Sequence, residues 1–449
     1  MRFQTLFALL LSTAFSVSPG FAQDWPMFAR NPEHTSFLPG SLAFTPPKMS
    51  ALQPGWKIAL KTTLSAAPIV SEGVLYEGGW NGQFHAIRVS DGEVLWQQFV
   101  GKAPVPENPS CFPAIGVASQ AVIWGDLVYV GGGDAAVYAL NKYTGEIAWR
   151  TPLADPATGA YLWSSITLFK NGLYVGVSSL GDCPLARGSL VRIDLDHPGE
   201  PLVRYLMPED EVGAGVWGTP AIDEATNTVV ITTGTGEQDV ERGIWGGTLM
   251  TLDATTLEIR DHYFLPSNSL EDDIEWGSSP TLFQASDGTR MVAATGKDGV
   301  LYALRLADLS LVWEAKIAVS CVCPECGCGS LSTPAYDGKL LYVGAGVSDP
   351  ESFEEGTVYA IDPDNGDAIW RRPTTGVMIA PVTVAADMVF AAGTHGLEVY
   401  SAGDGSPLWN DGMAGPIYSQ AVVTPDTIYC TYVSGNVVAW RLGEIAKQE

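Results

Sequence analysis

The chain has 449 residues, more than the roughly 250 to 300 at which one compact core usually stops growing, so several domains or a repeat architecture are expected. Its formal net charge of -26 opposes binding to nucleic acid or to anionic lipid surfaces, since both need a cationic face. With 49 glycines, 14 tryptophans and only 16% charged residues, the composition is typical of a turn-rich, aromatic-rich protein rather than a helical or disordered one.

Residues 1–22 predict a cleaved secretory signal. A single cation, Arg2, precedes a short apolar run, Leu6 to Phe15, and a small-residue cleavage site that ends at Ala22. The run is too short to span a bilayer, and no later segment has the roughly 18 apolar residues that a membrane helix needs. We therefore predict a periplasmic or secreted protein with one domain over residues 23–449. The first cysteine is Cys111, so no lipid anchor is expected at the cleavage site.

A repeated unit runs through the chain: a Gly-x-apolar-Tyr-Ala-apolar strand, a glycine turn, and a strand that ends in tryptophan. The eight copies begin near Gly82, Val137, Gly188, Gly247, Gly299, Gly356, Gly396 and Gly435. Their closing tryptophans, where present, are Trp96, Trp149, Trp313, Trp370 and Trp409. Glycine-bounded β-rich runs such as Leu127 to Gly131 lie between the copies. The sequence therefore predicts an all-β, eight-bladed β-propeller of four-stranded antiparallel sheets.

The eighth copy is incomplete and would leave an open sheet edge, which is costly. The missing strand is available at Gly55 to Leu60, where Trp56 would be the closing tryptophan. We predict that this N-terminal strand completes the last blade and that each tryptophan docks between neighbouring blades. The acid-rich turn Asp362 to Asp367 is similar to a calcium loop, but it occupies the normal turn of the repeat and is interpreted as structural.

The repeat from Val137 to Trp149 resembles the tryptophan-docking repeats of the quinoprotein propeller superfamily. The segment from Asp24 to Thr35 resembles the start of its polyvinyl-alcohol-dehydrogenase-like members. The resemblance covers nearly the whole predicted mature chain. It implies either a calcium-dependent alcohol dehydrogenase that uses pyrroloquinoline quinone (PQQ) or a cofactor-free lipoprotein scaffold for outer-membrane protein assembly. A fold alone does not choose between these functions.

The resemblance to the dehydrogenases implies three central site residues. Trp217 matches the indole that lies under the quinone. Asp273, just before a Gly-x-x-Pro strand, matches the base that accepts the alcohol proton. Lys297 matches the cation that contacts the quinone oxygens and stabilises charge on the reduced cofactor. Each residue also has a purely structural interpretation. Trp217 could be a core aromatic, Asp273 could belong to a solvated acidic loop, and Lys297 could be an exposed turn lysine.

The implied metal ligands match the family less well. Hard oxygen ligands hold Ca²⁺, which polarises a quinone carbonyl as a Lewis acid. Glu275 stands at a position that is an additional ligand in some members. Asp182 replaces a longer glutamate, in a segment where Ser178 is a candidate cofactor contact. Thr235, or Glu237 two residues later, stands where an asparagine ligand is usual.

Seven cysteines in an exported chain favour disulfides with one thiol left over, and we expect Cys430, in a strand-like run, to be that buried thiol. The chain lacks the adjacent-cysteine disulfide of several quinoproteins. A Cys111–Cys183 bridge could instead cover the cofactor, or it could simply tie two loops together. The cluster from Cys321 to Cys328 leaves three alternatives: two disulfides, a zinc or copper tetrathiolate, or redox exchange.

Together, the predicted export signal and the family resemblance imply a periplasmic PQQ-dependent dehydrogenase that oxidises a small or polymeric alcohol. No histidine follows the Cys323-Pro-Glu-Cys326 pair, so covalent haem is excluded and electrons would pass to a separate carrier such as a cytochrome c. The alternative, from a different class, is a non-catalytic propeller that serves as a protein-interaction platform.

Overall fold

Each repeat folds as a four-stranded antiparallel sheet, or blade. Its four strands lie side by side, in order from the central channel to the outside. The computed structural model describes residues 24–269, 273–320, 327–349, 351, 354–412 and 415–443. Eight blades surround the channel, so the predicted propeller is confirmed. Within the described ranges, no helix is both long enough and apolar enough to cross a membrane.

Blades 1 to 4 have the following strands, in order from the channel outwards. Blade 1 contains Ile69–Ser71, Val74–Gly78, Gln83–Arg88 and Val94–Phe99; blade 2 contains Val122–Trp124, Leu127–Gly131, Ala136–Asn141 and Ile147–Pro152. Blade 3 contains Thr167–Phe169, Gly172–Ser179, Ser189–Asp194 and Leu202–Tyr205, with the short strand Ala160–Tyr161 added; blade 4 contains Ala221–Asp223, Thr228–Thr232, Thr248–Asp253 and Ile259–Phe264. A small hairpin, Gln238–Asp239 with Ile244–Trp245, projects from blade 4.

Blades 5 to 8 follow the same order. Blade 5 contains Thr281–Gln284, Arg290–Thr295, Val300–Arg305 and Leu311–Lys316; blade 6 contains Ala335–Tyr336, Leu341–Ala345, Gly356–Ile361 and Ala368–Thr374. Blade 7 contains Thr383–Ala385, Met388–Gly393, Gly396–Ser401 and Pro407–Asn410; blade 8 contains Val422–Val423, Ile428–Thr431, Asn436–Leu442 and Leu52–Ala59. The 3₁₀ helices are Pro46–Ala51 and Pro156–Thr158.

The N-terminal strand closes the ring, as predicted. Leu52–Ala59 pairs antiparallel with Asn436–Leu442, and Trp56 lies opposite Ala439. The strand Asn436–Leu442 is therefore paired on its outer side, and blade 8 has four strands like the other blades. This removes the open edge that a three-stranded blade would expose. Cys430, in the neighbouring strand, is the buried free thiol that the sequence predicts.

The docking tryptophans join consecutive blades through a tryptophan and glycine pair. The indole N–H of Trp96 in blade 1 donates to the carbonyl of Lys142 in blade 2 at 3.0 Å. Gly145 lies against that indole with φ +75°, and a Cβ there would be 2.6 Å from a ring carbon. Blade 3 has no closing tryptophan, and the guanidinium of Arg204 donates instead to the carbonyl of Leu257 in blade 4 at 2.8 Å.

Gly145→Val is expected to lower the free energy of unfolding by about 3 kcal/mol. Valine at a positive φ is strained, and its side chain would overlap the indole of Trp96. Chemical denaturation monitored by fluorescence measures the effect. Gly199→Val is the matched control, because a Cβ at Gly199 meets no atom within 4 Å. Equal stability of both variants would contradict this account of blade docking.

The segment Asp24–Leu38, which we call the strap, crosses one end of the channel, the lower end. Trp25 pairs with Val70 of blade 1, and Phe37–Leu38 adds a parallel strand to blade 7. Strap carbonyls accept hydrogen bonds from the inner-strand amides of Ile123, Ile222, Leu282, Tyr336 and Val384, in blades 2, 4, 5, 6 and 7. The strap therefore ties the blades together beneath the channel.

His34 of the strap predicts an acid sensitivity of folding. Its Nδ1 donates to the carbonyl of Pro280 at 2.8 Å, and burial lowers the pKa of His34 to about 4. An unfolded histidine titrates near 6.5, so this contribution to stability is complete above that pH and is lost as the pH falls towards 4. The loss is about 3 kcal/mol.

His34→Gln should remove this part of the pH dependence, because glutamine does not titrate. Urea denaturation at pH 7 and pH 4.5 compares the two proteins. The same loss of stability in both would contradict the assignment to His34.

Candidate functional site

A cavity of about 600 Å³ occupies the central channel. Its wall is built mainly from the loops that precede the inner strands, with further residues from the second strand of blade 3 and from Phe28 of the strap. The volume lies within the roughly 300 to 1,000 Å³ that is usual for ligand pockets.

A ring of hydroxyls in the cavity wall joins consecutive blades. The backbone amide of Gln120 donates to Ser165 Oγ at 3.0 Å, that of Ser165 to Thr219 Oγ1 at 3.1 Å, and that of Thr219 to Ser279 Oγ at 2.8 Å. These residues occupy the same position in successive repeats. Each hydroxyl accepts a hydrogen bond from the backbone of the preceding blade, so the ring links consecutive blades around the cavity.

Two indoles line the cavity at one equivalent position of adjacent blades. Trp217 precedes Thr219 by two residues in blade 4, and Trp163 precedes Ser165 by two residues in blade 3. The structure therefore places Trp217 in the cavity wall, where the sequence hypothesis requires it. Trp163 was missed, although the repeat register could have indicated it.

Lys297 bridges two carboxylates in the cavity wall. Its Nζ lies 2.8 Å from Asp273 Oδ2 and 2.9 Å from Glu275 Oε1. The structure thus brings the predicted site residues Asp273, Glu275 and Lys297 into contact. Burial is the largest single effect and lowers the pKa of Lys297, but the Glu275 and Asp273 carboxylates together outweigh it and raise the pKa of the ammonium.

Glu275 is the most enclosed of the acids. Burial raises the pKa of Glu275 to about 7, with a further contribution from the charge of Asp273 and opposition from Lys297. The backbone amide of Thr235, which also lines the cavity, donates to the second carboxylate oxygen of Glu275. Thr235 thus supports the acid through its main chain.

Asp182 and Ser178 bring further polar groups to the same cavity. Burial, followed by the charge of Asp273, raises the pKa of Asp182. Ser178 is 3% exposed, and its hydroxyl has no hydrogen-bond partner in the part of the chain that the structure describes. A buried hydroxyl without a partner costs free energy, so this position favours a polar ligand.

Glu237 does not join this group. It is exposed, lies 3.9 Å from Arg242, and is absent from the cavity wall. Across the described ranges, no three histidine, cysteine, aspartate or glutamate side chains converge as a metal site.

The Cys111–Cys183 disulfide forms, but neither cysteine lines the cavity. Their neighbours Phe112 and Asp182 do. The bridge therefore ties two loops together, which is one of the two alternatives that the sequence leaves open. Cys328 is disulfide-bonded, which favours the disulfide alternative for its cluster. Cys321, Cys323 and Cys326 lie outside the described residues.

The fold and site together define an eight-bladed propeller whose channel combines indoles, an ammonium and several carboxylates. The chain belongs to the PQQ_2 family, described as outer membrane protein assembly factor BamB, whose model matches residues 113–318 and 297–444. The resemblance to the quinoprotein propellers is thereby confirmed.

Known proteins similar to the chain include polyvinylalcohol dehydrogenase of Sphingopyxis sp. (strain 113P3), 23% identical over 401 residues that cover 75% of this chain and 59% of the relative. The match thus spans less than two thirds of that relative. The structure of quinohemoprotein alcohol dehydrogenase ADHIIG from Pseudomonas putida HK5 superposes with a TM-score of 0.76 at 17% identity, over 95% of this chain and 81% of that one. BamB from Moraxella catarrhalis gives 0.58 at 14% identity, over 88% and 98%. These structural likenesses show the fold.

Proposed function

We propose that the chain is a PQQ-dependent dehydrogenase that oxidises an alcohol, with the quinone held in the central cavity. The observation that carries this proposal is the Lys297 ammonium, held between the Asp273 and Glu275 carboxylates in a wall that also contains Trp217. Buried charges are costly to maintain, and clusters of them in a cleft are typical of catalytic sites.

The cavity residues fit PQQ, which is a flat tricyclic quinone that carries carboxylates. Trp217 and Trp163 offer flat apolar surfaces for its rings, and Lys297 offers a positive charge for its oxygens. The unpartnered hydroxyl of Ser178 offers a further hydrogen bond. The relatives named as alcohol dehydrogenases support the same ligand class.

The chain's own residues would act on the alcohol. PQQ, when bound, supplies the electrophilic centre that accepts hydride. Asp273 is half-exposed to the cavity, with one carboxylate oxygen bound to Lys297. The carboxylate would accept the hydroxyl proton, while Lys297 orients it and stabilises negative charge nearby.

Calcium fits these residues less well than the quinone does. Glu237 lies outside the cavity, the amide of Thr235 is used by Glu275, and Lys297 already contacts the Asp273 and Glu275 carboxylates. Ca²⁺ is therefore treated as a variable of the experiment rather than as part of the mechanism. We also propose an exported, periplasmic protein that passes electrons to a separate carrier such as a cytochrome c.

Dye reduction tests the proposed function. The purified chain is incubated with PQQ, with and without Ca²⁺, and assayed with primary, secondary and polymeric alcohols. The expected result is alcohol-dependent dye reduction that requires PQQ and falls in Trp217→Leu. Trp124→Leu is the matched control, because Trp124 is exposed and lies outside the cavity wall. No reduction with any alcohol would overturn the proposal.

A protein-interaction platform is the second candidate, because the matching family model is described by an assembly factor. Binding a protein partner does not require an ammonium and two carboxylates inside the channel, so this candidate leaves the charged cluster unexplained. Absence of PQQ binding at micromolar concentration would favour this candidate.

A further inference from the structure

Three aromatic rings stand together on one side of the cavity. Phe112 lies on the loop between blades 1 and 2, and its ring centroid is 5.6 Å from Trp80 and 5.7 Å from Trp163. Both pairs are edge-to-face, and all three side chains line the cavity. We call this group the aromatic wall.

The two indoles of the aromatic wall are fixed by hydrogen bonds. The Trp80 N–H donates to Ser65 Oγ at 2.8 Å, and the Trp163 N–H donates to the carbonyl of Ser179 at 3.1 Å. Phe112 has no polar group, so its position depends on packing and on the backbone of its loop. The backbone at Gly181 packs closely against Phe112. A Cβ at position 181 would lie only 2.6 Å from Phe112 Cβ, so glycine permits this contact.

The Cys111–Cys183 bridge holds this arrangement. Phe112 directly follows Cys111, and Asp182 directly precedes Cys183, so the bridge joins the backbones beside two residues that line the cavity. The bridge thereby fixes the position of the Phe112 ring relative to the Asp182 carboxylate. A disulfide between loops reduces the entropy that each loop would lose when it contacts a ligand.

We propose that Phe112 is a binding residue: the aromatic wall packs against the rings of a planar aromatic ligand, while Lys297 contacts the polar edge. This inference rests on the proposed function, in which the ligand is PQQ. Phe112 is only partly buried by the protein, so its ring has apolar surface to offer a ligand. The disulfide contributes by positioning the ring rather than by contacting the ligand.

Equilibrium dialysis with PQQ tests the role of Phe112. Phe112→Ala is expected to raise the Kd about tenfold, whereas Phe112→Tyr, which keeps the ring, should stay within about twofold of the wild type. Phe99→Ala is the control, since Phe99 is exposed on the outer strand of blade 1. A melting temperature for each variant separates lost binding from lost folding.

Breaking the bridge with the double variant Cys111→Ser, Cys183→Ser should raise the Kd by at least about threefold, because the loop then orders only on binding. Unchanged affinity in folded Phe112→Ala would overturn the inference while the proposed function stands. A wild-type chain that binds no PQQ would overturn both.

Discussion

Asp273→Asn is expected to reduce PQQ-dependent alcohol oxidation by about 10² to 10⁴-fold, because an amide cannot accept the alcohol proton. The substitution suits the backbone, since Asp273 has φ +51°, a conformation that asparagine also tolerates. The Lys297 contact can persist through the amide oxygen. The measurement is the dye-reduction rate at saturating alcohol and PQQ, together with the melting temperature, which should stay near that of the wild type.

Asp308→Asn is the matched control for this experiment, because Asp308 is an exposed turn residue outside the cavity wall. Full activity in Asp273→Asn would show that another group accepts the proton. Loss of folding in Asp273→Asn would contradict the view that the carboxylate serves chemistry rather than structure.

Lys297→Met is expected to weaken PQQ binding by about 10 to 100-fold, an effect of about 1.5 to 3 kcal/mol. Lys297 is the only cationic side chain among the described residues of the cavity wall. Without it, Asp182, Asp273 and Glu275 would face an anionic ligand with no opposing charge. Equilibrium dialysis at low and physiological ionic strength measures the change.

Lys297→Arg should keep much of the affinity, because the positive charge remains. Lys57→Met makes the same charge change on an exposed strand position and should leave binding unaltered. Equal affinity of Lys297→Met and wild type would show that the ammonium serves the fold alone.

The blades could be predicted from the sequence because their information is local and repeated. Each strand pair and glycine turn lies within one repeat, so eight copies of a weak pattern together indicate one architecture. Closure by Leu52–Ala59 followed from the cost of an open edge, and Trp56 marked the strand. The strap carried no repeat and no strand pattern, so its course beneath the ring could not be derived.

The charged part of the site could be anticipated only through the family resemblance, because Asp273 and Glu275 lie in the loop between blades 4 and 5 and Lys297 follows the second strand of blade 5. Glu237 was misplaced for a physical reason: it precedes the small hairpin of blade 4 and lies near Arg242 at the surface. Phe112 was missed because its loop has no periodicity. Only the fold brings that loop to the cavity.

A crystal structure of the chain with PQQ tests the central claim most directly. The account predicts the quinone inside the channel, with its rings against Trp217 and an oxygen within hydrogen-bonding distance of Lys297 Nζ. Density for PQQ only on the outer surface, or an empty channel at saturating PQQ, would contradict it.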